Sequence, residues 1–155
     1  MMNIIGIDIT AVSTSAVFKL GTVAGDIGTT GPQKNYKYIK YNAASAAVAG
    51  VANEVAYYYL AGGYADSEVT SDLSDSVNLG AGVLQAAMAD ATFGWVQIAG
   101  PATLALALTA GADGNALTPV GSADGTLDVS AAVTDAVCAY ADDISAKEII
   151  CCFPI

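Results

Sequence analysis

Apolar side chains alternate with small or polar ones in short runs separated by Gly, Pro, Asp and Ser, a pattern of strands and turns more than of helices. The longest run, residues 93–108 (FGWVQIAGPATLALAL), contains the only tryptophan, Trp95. Read as a strand, it puts Phe93, Trp95, Gln97 and Ala99 on one face and Gly94, Val96, Ile98 and Gly100 on the other. Neither face is properly polar, so both need cover, from the chain's own fold or from a partner subunit. Gly100-Pro101 is expected to end the run, because proline brings no N–H to the ladder. Leu104, Leu106 and Leu108 at spacing two, opposite Thr103, Ala105 and Ala107, then predict the second strand of a hairpin. Alanine and leucine also leave a short helix open there.

Elsewhere the pattern predicts an apolar arm over residues 1–16, where Ile5, Ile7 and Ile9 fall at strand spacing before a small, polar linker. A single β domain over residues 17–155 follows. Residues 17–23 alternate weakly and are expected to enter the body, and residues 25–32 (GDIGTTGP) read as a loop. Residues 34–41 (KNYKYIKY) predict a strand with lysines and tyrosines interleaved. Lysine is an ordinary guard of exposed strand edges, which is the expectation for Lys37 and Lys40. Residues 43–52 read as a loop or helical turn, and residues 51–60 as a strand carrying Tyr57, Tyr58 and Tyr59. Consecutive tyrosines face both ways, so at least one is expected to be exposed or covered by a partner. Residues 84–91 (LQAAMADA) read as a loop or helical turn. Asp113-Gly114 and Asp124-Gly125 signal tight turns. Residues 137–140 and 149–153 predict a closing hairpin.

Composition narrows the chemistry. The chain has 155 residues, formal net charge −10, five lysines, and neither histidine nor arginine. A Ser-His-Asp or Cys-His site and a histidine metal ligand are excluded, as is a bidentate arginine clamp. Acidity argues against a nucleic-acid partner, whose phosphates are bound chiefly by lysine and arginine. The clustered Asp66, Glu68, Asp72 and Asp75 lack the spacing of a calcium loop. Cys138, Cys151 and Cys152 make no disulfide framework, and neighbours on a strand face opposite ways, so small buried hydrophobes are the expectation. No cofactor or metal site is expected. The start, MMNIIGIDIT, lacks the positive region and long apolar core of a signal peptide, and no run is long and apolar enough to span a membrane.

The order of segments carries a likeness. An arm, a basic-aromatic strand (KYIKY), a glycine before a strand (AGVANEVAYY), an acidic strand ending in NLGAGV, then FGWVQIAGPA, Asp-Gly turns and a closing VCAYA hairpin resemble the small decoration, or cement, proteins on the heads of tailed bacteriophages. Residues 94–102, GWVQIAGPA, are its most specific piece. The resemblance implies a virion protein made in the host cytoplasm that docks on the outer capsid face, usually as a homotrimer, and ties neighbouring major capsid subunits together. The fold expectation is all-β, a small antiparallel β-barrel or β-sandwich with an extended N-terminal arm.

On this reading the chain is not an enzyme and has no membrane partner. Ile5, Ile7, Ile9, Phe93, Trp95, Tyr57 and Tyr59 are the candidate contacts with capsid or neighbouring subunit, with strand addition by residues 4–9 as the mechanism. The alternative is a head-fibre or adhesion module binding a host-surface glycan, with Trp95, Tyr64 and residues 57–59 as stacking faces. A glycosidase-like carboxylate pair, such as Asp142 with Asp143 or Asp72 with Asp75, is the only raw material for catalysis.

Overall fold

A computed structural model describes residues 6–26 and 31–155. Its ten strands, in chain order, are β1 (Val23–Gly25), β2 (Asn35–Tyr41), β3 (Val55–Tyr59), β4 (Glu68–Thr70), β5 (Ser76–Leu84), β6 (Phe93–Thr103), β7 (Ala116–Thr118), β8 (Asp128–Val129), β9 (Ala139–Asp143) and β10 (Glu148–Cys152). Among the described residues, helix is confined to the four-residue α1 (Gly63–Asp66) and a 3-10 turn at Leu73–Asp75. The fold is therefore all-β and mostly antiparallel, as the alternation predicts.

Five strands close on themselves. β2 pairs with β4 in parallel, β4 with β3, β3 with β5, β5 with β6, and β6 returns to β2 over Tyr36↔Gln97 to Lys40↔Phe93. This ring leaves its members few open edges, the usual barrel solution to unpaired strands. Pairing with β2 ends at Asn35↔Ala99, and on the opposite edge, where β5 pairs at Val96 and Gln97, β10 takes over through Cys152↔Ala99 to Glu148↔Thr103. β10 then pairs with β9, β9 with β7 and β7 with β8, building a second lobe on the far half of β6.

One strand thus serves both units, which corrects the hairpin expectation. β6 runs through Gly100-Pro101 instead of ending there, and residues 104–108 form no strand. Two details permit it. The bonds from Leu104 N to Lys147 O and from Phe153 N to Ile98 O put even-numbered residues of β6 at the bonding positions toward β10. Pro101 is consequently at a position where the ladder needs no donor. Buried Gln97 also turns its side-chain amide onto the strand, donating to the carbonyls of Ala99, Gly100 and Pro101 at 3.2, 3.2 and 2.9 Å. Gly100 takes φ +89°, and a Cβ there would lie 2.5 Å from the Gln33 carbonyl, so the close approach of the chain entering β2 requires glycine.

Inside the ring, Ile39, Tyr41, Val55, Tyr57, Val83, Val96 and Ile98 belong to one core that continues under the lobe to Leu117, Ile149 and Phe153. The expected closing hairpin is β9 and β10, with Cys151 inward and Cys152 outward. The two Asp-Gly pairs are turns, with Gly114 at φ +84° and Gly125 at φ +70°.

Gly82, at φ +146° in β5, has the Gln97 carbonyl and the Val96 side chain 2.8 Å from where a Cβ would sit. Gly82→Ala is expected to lower unfolding free energy by about 2–4 kcal/mol, from backbone strain plus overpacking. Gly114→Ala, in open space at similar strain, should cost about 1–2 kcal/mol. Urea denaturation of both variants checks the ranking, and equal costs would contradict it.

Candidate interaction surface

Alternation along β2 sends Lys37, Ile39 and Tyr41 one way and Tyr36 and Tyr38 the other. The second set meets Trp95 and Phe93 of β6 on the outside of the ring, because Tyr38 is in register with Trp95 and Lys40 with Phe93. The arm lies over this face: Ile7, Ile9, Phe18 and Leu20 pack against Ala24, Tyr36, Tyr38 and Trp95 as a second, smaller core. Phe18 meets Tyr38 edge-on at 5.3 Å between centroids and Trp95 at 5.5 Å, while Tyr38 and Trp95 are 5.1 Å apart. These are favourable aromatic geometries. Trp95 is only 2% exposed, so the strand that needed cover on both faces receives it from the chain itself.

The arm is held mainly by side chains. Among the described residues it makes no strand, and its main-chain bonds to the body are Ser13 N to Phe93 O at 3.0 Å, Phe93 N to Ser13 O at 2.8 Å and Val17 N to the Tyr38 hydroxyl at 3.1 Å. Between Ile7 and Ser13 the Asp8 carboxylate accepts from the Thr10 amide at 2.9 Å and hydroxyl at 2.7 Å, turning the chain; those bonds hold the Asp8 carboxyl below the usual carboxylate range. The seam is not filled. A cleft of about 210 Å³ lies between Ile7, Ala11 and Phe18 on the arm side and Tyr38 and Trp95, and another of about 200 Å³ between Ile7, Ile9, Ala24 and Tyr36. Both clefts open to solvent, so part of the arm's inner surface faces water and not the body.

Of the candidate contacts, Ile5 lies outside the described residues. Ile7, Ile9, Phe93 and Trp95 are brought together at this seam. Tyr57 and Tyr59 are not. Tyr57 is fully enclosed, its hydroxyl accepting from Thr126 N at 2.9 Å and donating to the Thr126 carbonyl, and burial pushes its phenol pKa up. Tyr59 is half-buried beside Ser76 of β5. With Trp95, Tyr57 and Tyr58 enclosed, Tyr64, 51% exposed, and part of Tyr59 are the aromatic faces left for a sugar ring among those the adhesion reading names. The acidic segment is engaged locally: Glu68 pairs with Lys40 at 3.0 Å, Asp72 accepts from Ser74, and Asp75 from Ser45. Among the described residues no cluster of three His, Cys, Asp or Glu is arranged to hold a metal.

A second apolar feature escaped the sequence reading. Register across the lobe aligns Pro101, Ile150, Tyr140 and Ala116 on β6, β10, β9 and β7, and Ile150 and Tyr140 are exposed side by side. Spacing two in residues 148–152 carried the signal, but the pairing order that makes it a row is non-local.

Lys37 is a correction. It guards no edge but points inward and is 4% exposed, its ammonium donating to the Tyr58 hydroxyl at 2.8 Å and lying over the Tyr58 and Tyr64 rings at 5.1 and 5.5 Å. Neither a protein-family model, a curated protein nor a solved structure matches this chain.

Burial lowers the Lys37 pKa from the ordinary lysine value. The folded chain therefore holds fewer protons than the unfolded one, and stability gains as pH rises from neutrality toward that ordinary value. Lys37→Met should raise the melting temperature at pH 7, since a buried cation without a carboxylate gives way to an apolar chain. The advantage should shrink by pH 10, and the buried tyrosines, common to both proteins, cancel in the comparison. A lower melting temperature for the variant at pH 7, or a gap constant with pH, would count against this account.

Proposed function

We propose that this chain is a structural virion protein that binds the outer surface of a bacteriophage capsid and stabilises contacts between major capsid subunits. The observation that carries the proposal is the arm: an apolar segment laid across an aromatic face by side-chain contact, over an unfilled seam, with few main-chain bonds among the described residues. Such an arm can leave its own body at small cost and offer its main chain and isoleucines to a neighbouring subunit as an added strand. The sequence resemblance to decoration proteins, densest at residues 94–102, supplies the identity of that neighbour. The exposed Ile150–Tyr140 row gives the lobe an uncharged surface for a second contact. On this reading the protein is not an enzyme, works as a homotrimer, and is made in the host cytoplasm before joining the particle.

Removing residues 1–12 tests the proposal. The truncated body should remain folded, with native far-ultraviolet dichroism, and lose occupancy on purified particles of the parent phage, as measured by gel densitometry after gradient sedimentation. Unchanged occupancy would sink it.

A further inference from the structure

The interior lysine is placed where it is costly to keep. A buried ammonium is normally paired with a carboxylate, and among the described residues Lys37 has no such ion pair. Its partners are one phenol oxygen and two aromatic faces, which compensate it in part. One of those faces, Tyr64, is itself half exposed, so the ring that lies against the ammonium on one side meets water on another.

Tyr64 rides on α1, a single turn bounded by two left-handed residues, Gly62 at φ +81° and Ser67 at φ +52°. Gly63 is packed so closely that a Cβ there would be 2.7 Å from the Glu68 carbonyl, which keeps the base of the turn fixed to the barrel. The tip is tied from the other side. The Tyr64 hydroxyl donates to the Ile155 carbonyl at 3.2 Å, and the Tyr58 hydroxyl, edge-on to Tyr64 at 4.9 Å, donates to the Pro154 carbonyl at 3.5 Å. Residues 154–155 thus strap the two rings over the amine. Upstream, Phe153 anchors the strap through its N–H to Ile98 O at 3.0 Å and its ring against Gly80.

We propose that the Tyr64 turn is a lid over Lys37, latched by the Tyr64–Ile155 hydrogen bond, and that it opens to admit water to the ammonium. Opening costs the latch and one ring contact and returns hydration to a buried cation, so the open state is accessible from the native fold without unfolding the ring. The amine is then a gated group, reactive only in the open state.

Acylation of the full chain with acetic anhydride at pH 8, followed by peptide mass spectrometry, measures the gate. Lys37 should react at least about tenfold more slowly than Lys34, as expected for a group reached only through local opening. Tyr64→Phe keeps the ring and loses the latch. It should speed Lys37 about fivefold with Lys34 unchanged, the shift that loss of one hydrogen bond gives an opening equilibrium. Tyr64→Ala should speed it further. Lys37 reacting as fast as Lys34 in the parent chain, or at an unchanged rate in Tyr64→Phe, would overturn the lid. If Tyr64→Ala accelerates every lysine alike it has unfolded, and the Tyr64→Phe rate decides.

Discussion

The structure depends on the antiparallel pairing of β2 with the first half of β6. That ladder closes the five-stranded ring, and its two faces found both cores at once. Inward, Ile39, Val96 and Ile98 enter the main core; outward, Tyr38 and Trp95 make the floor on which the arm lies. Side chains alternate at every residue, so a one-residue slip would send Trp95 into the ring and Val96 under the arm. Past Ala99 the β2 ladder ends while β10 follows β5 along the other edge of β6, so the lobe is positioned by the same strand.

Much of this was legible in the sequence where the determinants are local. The alternation in residues 93–99 and 35–41, the glycine in each Asp-Gly turn and the closing hairpin each follow from spacing and turn chemistry. The misreadings have physical reasons. Proline was expected to end β6, but a strand tolerates proline at a position that donates nothing, and which position that is depends on register with β10, some fifty residues away. The leucines at 104, 106 and 108 fit a strand, yet the strand that takes the place beside the end of β6 is β10. Lys37 was read by its charge, although it shares parity with Ile39 and Tyr41, which was the signal that it points inward. Tyr57 was placed at the surface because tyrosines in a row must diverge; the loop at residues 123–126 folds over it and satisfies its hydroxyl instead.

The arm and the Lys37 lid share a physical style. In each, an aromatic face of the ring is covered by a segment with few main-chain bonds, and the cover rests on packing and at most three hydrogen bonds to the body among the described residues. Elements of that kind occupy the low-stability end of a fold, while the ring beneath them keeps its ladder. A barrel with covers proposed to detach suits a protein whose proposed task is to bridge other subunits. The aromatic face is kept from water by the arm in the free chain, and a partner that takes the arm must also take over that protection.

The most direct test of the proposed role is a cryo-electron-microscopy reconstruction of parent-phage capsids with and without the protein. The account predicts added density of the size of this barrel on the outer surface, with residues 4–9 extended onto a neighbouring subunit and Ile7 and Ile9 away from their own Tyr38–Trp95 face. Shells identical in the two reconstructions, or an arm still folded on its own barrel, would contradict it.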